Sequence, residues 1–119
     1  MKFDIRDRAK KFAIRIVRLI KKFPKDVAGQ ELGRQLIRSG TSVGANLEEA
    51  DAASSRKDFF HRISISCREA KESRYWLEII VDSDTLNHQD NIKEAVSLKN
   101  EAEELSKILY SIMKPRVKE

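Results

Sequence analysis

Apolar residues recur along this chain at steps of three and four in four successive blocks, the spacing of helices with one buried face. In the first block Ile5, Ala9, Phe12, Ala13, Ile16, Leu19, Ile20 and Phe23 form a stripe. Arg8, Lys10, Lys11, Arg15, Arg18, Lys21, Lys22 and Lys25 cover the opposite half of the wheel. The pattern predicts a helix over about 4–22 with cleanly separated faces. Phe23-Pro24 should end it, because proline drives the preceding residue out of the α region.

The second block, over about 27–53, carries a thin stripe of Leu32, Leu36, Ser39/Gly40, Val43, Leu47 and Ala50. Gly40 and Gly44 each cost a helix up to about 1 kcal/mol against alanine, so packing has to hold its middle. A break at Ser39 to Thr41 is the alternative. The stripe keeps its phase through that segment, so one helix is expected, with a bend allowed. Thin faces invite close helix approach, and Gln35, Ser39, Ser42, Asn46 and Glu49 form a polar row directly beside this one.

The third helix is expected over about 55–81, with Ser55 as N-cap and Asp58 in the capping-box position. Phe59, Phe60, Ile63, Ser66, Cys67, Ala70, Leu77 and Val81 make its inner face, but Ile65, Trp76, Ile79 and Ile80 fall on another side. Two apolar faces need two partners, and the second marks an interface between copies of the chain, with Trp76 as its anchor. Asn87 is the expected cap of a fourth helix over about 88–113. There Ala95, Leu98, Ala102, Leu105, Leu109 and Ile112 alternate in a narrow seam. Pro115 should close it, leaving a short basic tail at Arg116 and Lys118. Four such helices with short connections predict an all-α fold, an antiparallel up-down-up-down four-helix bundle in a single domain over 1–119.

Composition agrees: 40% hydrophobic and 36% charged residues, with four Gly and two Pro in 119 residues, suit long solvated helices. The single cysteine, Cys67, lies on a core face and reads as a buried structural thiol. No apolar run resembles a signal peptide or a bilayer span, so a cytoplasmic protein is expected. The net charge of +5 is lopsided. Residues 1–25 hold ten Lys/Arg against Asp4 and Asp7, a net of +8, while the remainder sums to −3.

Enzymatic chemistry finds no support. Gly40 to Gly44 lacks the lysine and strand context of a phosphate loop, and neither His61 nor His88 follows a glutamate by three residues, as a di-metal carboxylate bundle requires. Glu48/Glu49 and Glu103/Glu104 then read as solvated faces, and no cofactor or metal is expected. Candidate chemistry therefore concentrates on the basic face of helix 1, where Lys10, Lys11, Arg15, Arg18, Lys21 and Lys22 would meet phosphates and gain affinity by counterion release. No aromatic residue is interleaved there, so single-strand stacking is not indicated. The apolar face that a membrane would take is the one the bundle core needs.

Several segments resemble a known family. Gln35-Leu36, Gly40-Thr-Ser-Val-Gly-Ala-Asn-Leu-Glu-Glu-Ala50, Lys57-Asp-Phe59, Ser64-Ile-Ser66, Glu69-Ala70 and Tyr75-Trp-Leu-Glu-Ile79 are similar to the small bacterial four-helix-bundle proteins encoded within 23S ribosomal RNA intervening sequences. Where many of those proteins carry proline, this chain has Gly44. The resemblance implies a left-handed bundle assembled as a ring, typically a homopentamer, with a role in RNA binding. A more distant likeness is to the accessory protein of diversity-generating retroelements, a basic pentameric bundle that binds a reverse transcriptase and nucleic acid. Neither implies catalytic residues.

Two readings of function follow. The first is a non-enzymatic, oligomeric basic bundle that binds structured RNA or other nucleic acid. The second is an interaction scaffold or accessory subunit that presents an acidic or apolar surface to a protein partner, with its basic helix serving solubility alone.

Overall fold

The computed structural model describes the backbone of residues 3–117 and the side chains of residues 5–114; the expected basic tail at Arg116 and Lys118 lies outside the described side chains. Four helices follow in order, α1 (Phe3–Ile20), α2 (Val27–Asp51), α3 (Arg56–Asp82) and α4 (Gln89–Val117). Each packs on its sequence neighbours and α1 also packs on α4, so the bundle closes as a square with α1 and α3 on one diagonal. Its extents are 46 × 23 × 23 Å. No strand occurs among the described residues.

The helix ends have local causes. Asp26 caps α2 by accepting from the Gly29 N–H at 2.8 Å, and Ser55 caps α3 by accepting from the Asp58 N–H at 3.0 Å. Both satisfy donors that a first turn leaves open. α4 is capped differently from the expectation. His88 takes the place of Asn87, with its Nδ1 accepting from the Asp90 N–H at 3.2 Å. The α3–α4 turn closes when Thr85 N–H reaches the Ile80 carbonyl and Asp84 N–H the Val81 carbonyl, both at 3.3 Å. That paired return requires a left-handed residue, and Asp84 supplies it at φ 57°. Pro115 does not close α4, which runs on to Val117. Proline removes its own N–H and crowds the carbonyl four residues back, a cost confined to the last turns, so the helix before it stands.

α2 is continuous through Ser39 to Thr41. Its glycines form the ridge on which α1 lies. A Cβ on Gly40 would sit 2.4 Å from Ile16 Cδ1, one on Gly33 would be 3.3 Å from Ile20 Cγ2, and one on Gly44 would meet the Ala9 methyl at an ordinary 3.6 Å. The thin face therefore admits α1, whose Ala9, Phe12, Ile16 and Leu19 are buried on it. On the other flank α2 meets α3 through small polar residues. Ser66 hydroxyl donates to the Val43 carbonyl at 2.7 Å, and Ser73 hydroxyl donates to Ser39 Oγ at 2.9 Å. Every buried hydroxyl there has a partner, as burial in a low-dielectric core requires. Cys67 is buried in the α3–α4 seam, its thiol 3.4 Å from the Ser106 carbonyl, and burial pushes the thiol pKa up.

The outer side of α3 is smaller than the sequence implies. Ile80 is fully buried in the monomer core and does not belong to it. One hundred degrees per residue places Ile80 nearer to Leu77 and Ser73 than to Ile79, which assigns it to the inner face. Ile65, Trp76 and Ile79 are half-buried, and Tyr75 joins them at 55% exposure. Trp76 leans on the edge of the core, donating its indole N–H to Glu72 at 3.0 Å.

Candidate nucleic-acid interface

The nine described basic residues of the first segment separate into two populations. Arg6, Arg8 and Arg15 turn sideways onto neighbouring helices. Arg6 meets Glu48 at 2.6 Å and Asp51 at 3.1 Å on α2. Arg8 grips Glu101 through two bonds of 2.7 and 3.1 Å. Arg15 does the same to Glu94 at 2.9 and 3.0 Å and reaches Ser97 at 2.8 Å. Bidentate geometry of this kind is what a guanidinium offers and an ammonium cannot. These hydrogen bonds hold the Glu48 and Glu94 carboxyls below the usual carboxylate range, with Lys10 and Lys22 lowering them further at longer range.

Lys10, Arg18, Lys21, Lys22 and Lys25 are exposed and meet no carboxylate at ion-pair distance among the described residues; Lys11 faces only Asp7, one turn back, at 3.0 Å. Of the six candidate contact residues, the structure thus leaves five outward and engages Arg15 internally. The exposed side of the segment divides into strips of three-four spacing. Lys11, Arg15, Arg18 and Lys22 run along the side of α4, while Lys10, Ile14, Val17 and Lys21 run along the side of α2. Here the faces are not cleanly separated. Ile14 is 40% exposed in the middle of the basic surface, and Val17 is half-buried beside it.

The polar row on α2 turns toward α3. Asn46 Nδ2 donates to the Ser42 carbonyl at 2.8 Å and its Oδ1 accepts from Arg62 at 3.4 Å. Glu49 is exposed and stands 3.9 Å from the same Arg62. Ser42 donates to the Arg38 carbonyl of its own helix at 2.7 Å. Gln35 is half-buried and accepts from Arg38 at 3.4 Å, and Arg38 continues across to Glu72 and, at 3.4 Å, to Glu69 on α3. Sequence spacing missed Ser73 and Arg62, the α3 halves of these contacts. Ser73 lies three residues from Ala70 and seven from Ser66, a small-residue stripe on α3 that answers the one on α2.

Two further surface features bear on binding. A groove of about 520 Å³ lies at the α1–α2 corner, bordered by Lys21, Lys25 and Arg34. A second, of about 420 Å³, lies between Ala9 and Ala13 of α1 and Gly44 and Ala45 of α2, with Arg6, Lys10 and Glu48 at its rim. Among the described residues no cluster of three or more His, Cys, Asp or Glu is placed to hold a metal, and no helix is long and apolar enough to cross a membrane.

A sequence model of the 23S rRNA-intervening sequence proteins matches residues 1–111. The chain is also similar to a crystal structure, at 1.70 Å resolution, of a protein of unknown function from the S23 ribosomal protein family of Bacteroides thetaiotaomicron VPI-5482. The two are 37% identical with a TM-score of 0.78, over 92% of this chain and 98% of that one. No curated protein matches. With the family model matched over nearly the whole length, the chain belongs to the 23S rRNA-intervening sequence protein family.

Proposed function

We propose that the protein is a non-enzymatic, ring-forming homo-oligomer, a pentamer by its family likeness, that binds structured RNA through phosphates on the outward face of α1. One observation carries this reading: Lys10, Lys11, Arg18, Lys21 and Lys22 stay outward after the arginines of the same helix have been matched to Glu48, Asp51, Glu94 and Glu101. Among the described residues, Lys11 alone of these meets a carboxylate, Asp7 at 3.0 Å; a cationic surface so little offset retains its attraction for a polyanion, and repetition around a ring adds the contacts as avidity. The affinity would be largely indifferent to base sequence, because phosphate contacts position rather than specify.

Converting Lys10, Lys11 and Arg18 together to glutamate should leave the far-ultraviolet spectrum and the oligomer size unchanged while abolishing retention of a structured RNA at moderate salt. The wild-type affinity should fall steeply with salt, with a log–log slope near −5 if about six phosphates are engaged. Retention by the triple variant, or a flat salt response, would refute the assignment. In that event the scaffold or accessory-subunit reading, with α3 facing a protein partner, takes its place.

A further inference from the structure

We infer that the groove at the α1–α2 corner is a seat for one unpaired nucleotide of a bound RNA, its base on the apolar floor and its phosphates on the cations of the rim. The inference rests on the nucleic-acid reading above and adds a distinct site to it. Ile20, Pro24 and Ile37 supply the floor; Lys21, Lys25 and Arg34 supply the rim, and no carboxylate lines the groove. Ile37 is 37% exposed, a large aliphatic side chain kept at the surface beside three cations. The cations are available. Lys21 and Lys25 have no ion pair among the described residues, and Arg34 has Glu31 alone, at 4.0 Å, with both side chains mostly in water.

The shape discriminates between ligands. A duplex presents its phosphates on a convex surface, which suits the ridge of α1 but cannot reach an apolar floor. An unpaired base can be splayed outward, which is how proteins commonly reach RNA bases. The volume, about 520 Å³, lies within the roughly 300–1,000 Å³ of ordinary small-ligand pockets, so a base and its ribose fit. Lys21 stands in the turn directly after α1 and continues its outward strip, and the 11 steps from Lys10 to Lys21 span about 16 Å at helical rise, so a duplex arm lying along α1 would deliver a bulge to the corner.

The test uses two RNA hairpins that differ by one bulged 2-aminopurine, titrated against the full chain. The wild type should bind the bulged hairpin about tenfold more tightly, equivalent to about 1.4 kcal/mol, with a change in 2-aminopurine emission on binding. Ile37→Ser and Arg34→Gln, both at exposed positions, should bring the bulged hairpin down to the affinity of the perfect one and remove the emission change. Lys10→Gln with Lys11→Gln should instead weaken both hairpins together and keep their ratio. Equal wild-type affinity for the two hairpins would overturn the seat and leave phosphate binding by α1 standing. Binding of neither hairpin would overturn both.

Discussion

At the scale of single residues, the backbone distinguishes glycines that look alike in sequence. A Cβ on Gly29 would lie 2.2 Å from the Pro24 carbonyl oxygen, and a carbonyl in a tight turn cannot rotate aside as a side chain does. Gly29→Ala should therefore destabilise the fold by about 1–3 kcal/mol, the usual range of an overpacked site. Gly44→Ala meets only ordinary contacts and restricts the unfolded chain, so it should stabilise by about 0.4–1 kcal/mol. Urea denaturation of the two variants beside the wild type reads both signs. Asp84 offers a second case, because it holds a left-handed conformation where glycine is usual. Asp84→Gly should raise stability by about 0.5–1 kcal/mol, as relief of the left-handed strain of up to about 1–2 kcal/mol is partly offset by glycine's greater unfolded freedom. A lower urea midpoint for Asp84→Gly would mean that the carboxylate makes a compensating contact.

At the scale of the element, α1 is held by two unlike surfaces. Toward α2 it lies on glycines, and toward α4 it is clamped by the paired ladder Arg8–Glu101 and Arg15–Glu94, seven residues apart on both helices. The depressed Glu94 carboxyl gives this clamp a pH signature. A carboxylate with its folded pKa below the unfolded value of about 4.3 contributes stability above that value and loses it as pH falls through the folded pKa. Glu94→Gln should accordingly lower the melting temperature at pH 7 and lower it less at acid pH, as the wild-type carboxyl takes up its own proton. Side chains exposed by 35% and 37% place the loss under about 1 kcal/mol. Thermal melts of the two proteins at the two pH values check the sign, and an equal deficit at both would trace it to packing.

At the scale of the whole molecule, the open question is what lies against the outer side of α3. Tyr75, Ile79 and the edge of Trp76 form an apolar surface there after Ile80 has been withdrawn into the core, bordered by a groove of about 360 Å³ that runs to Asp82 and Ser83. An interface between copies would cover it, and Trp76→Glu would then place a charge against that seam. Light scattering at micromolar concentration should report an oligomer for the wild type and a smaller species for Trp76→Glu. A monomeric wild type, or a variant that assembles unchanged, would move the interface elsewhere. Trp76 also touches the core edge, so the variant's helical circular dichroism has to match the wild type for the comparison to hold.

Much of this architecture is legible in the chain by itself. Period, phase and caps depend on neighbours within four residues, and they place four helices to within four residues at every end, including the continuity of α2 through its glycines. The sequence also determines that positive charge concentrates in α1. It does not determine which of those charges face water, since that depends on carboxylates between 42 and 93 positions away. Only the antiparallel packing of α1 on α4 brings the spacing of Arg8 and Arg15 into register with that of Glu101 and Glu94. The same holds for the groove at the α1–α2 corner. Lys21 and Lys25 lie in the turn between α1 and α2 and Arg34 lies on α2, and only the closure of that turn over Gly29 and Gly33 draws them around one apolar floor. Local periodicity fixes which side of a helix a residue is on, whereas charge pairing and concavity are properties of two helices at once, which the tertiary structure decides.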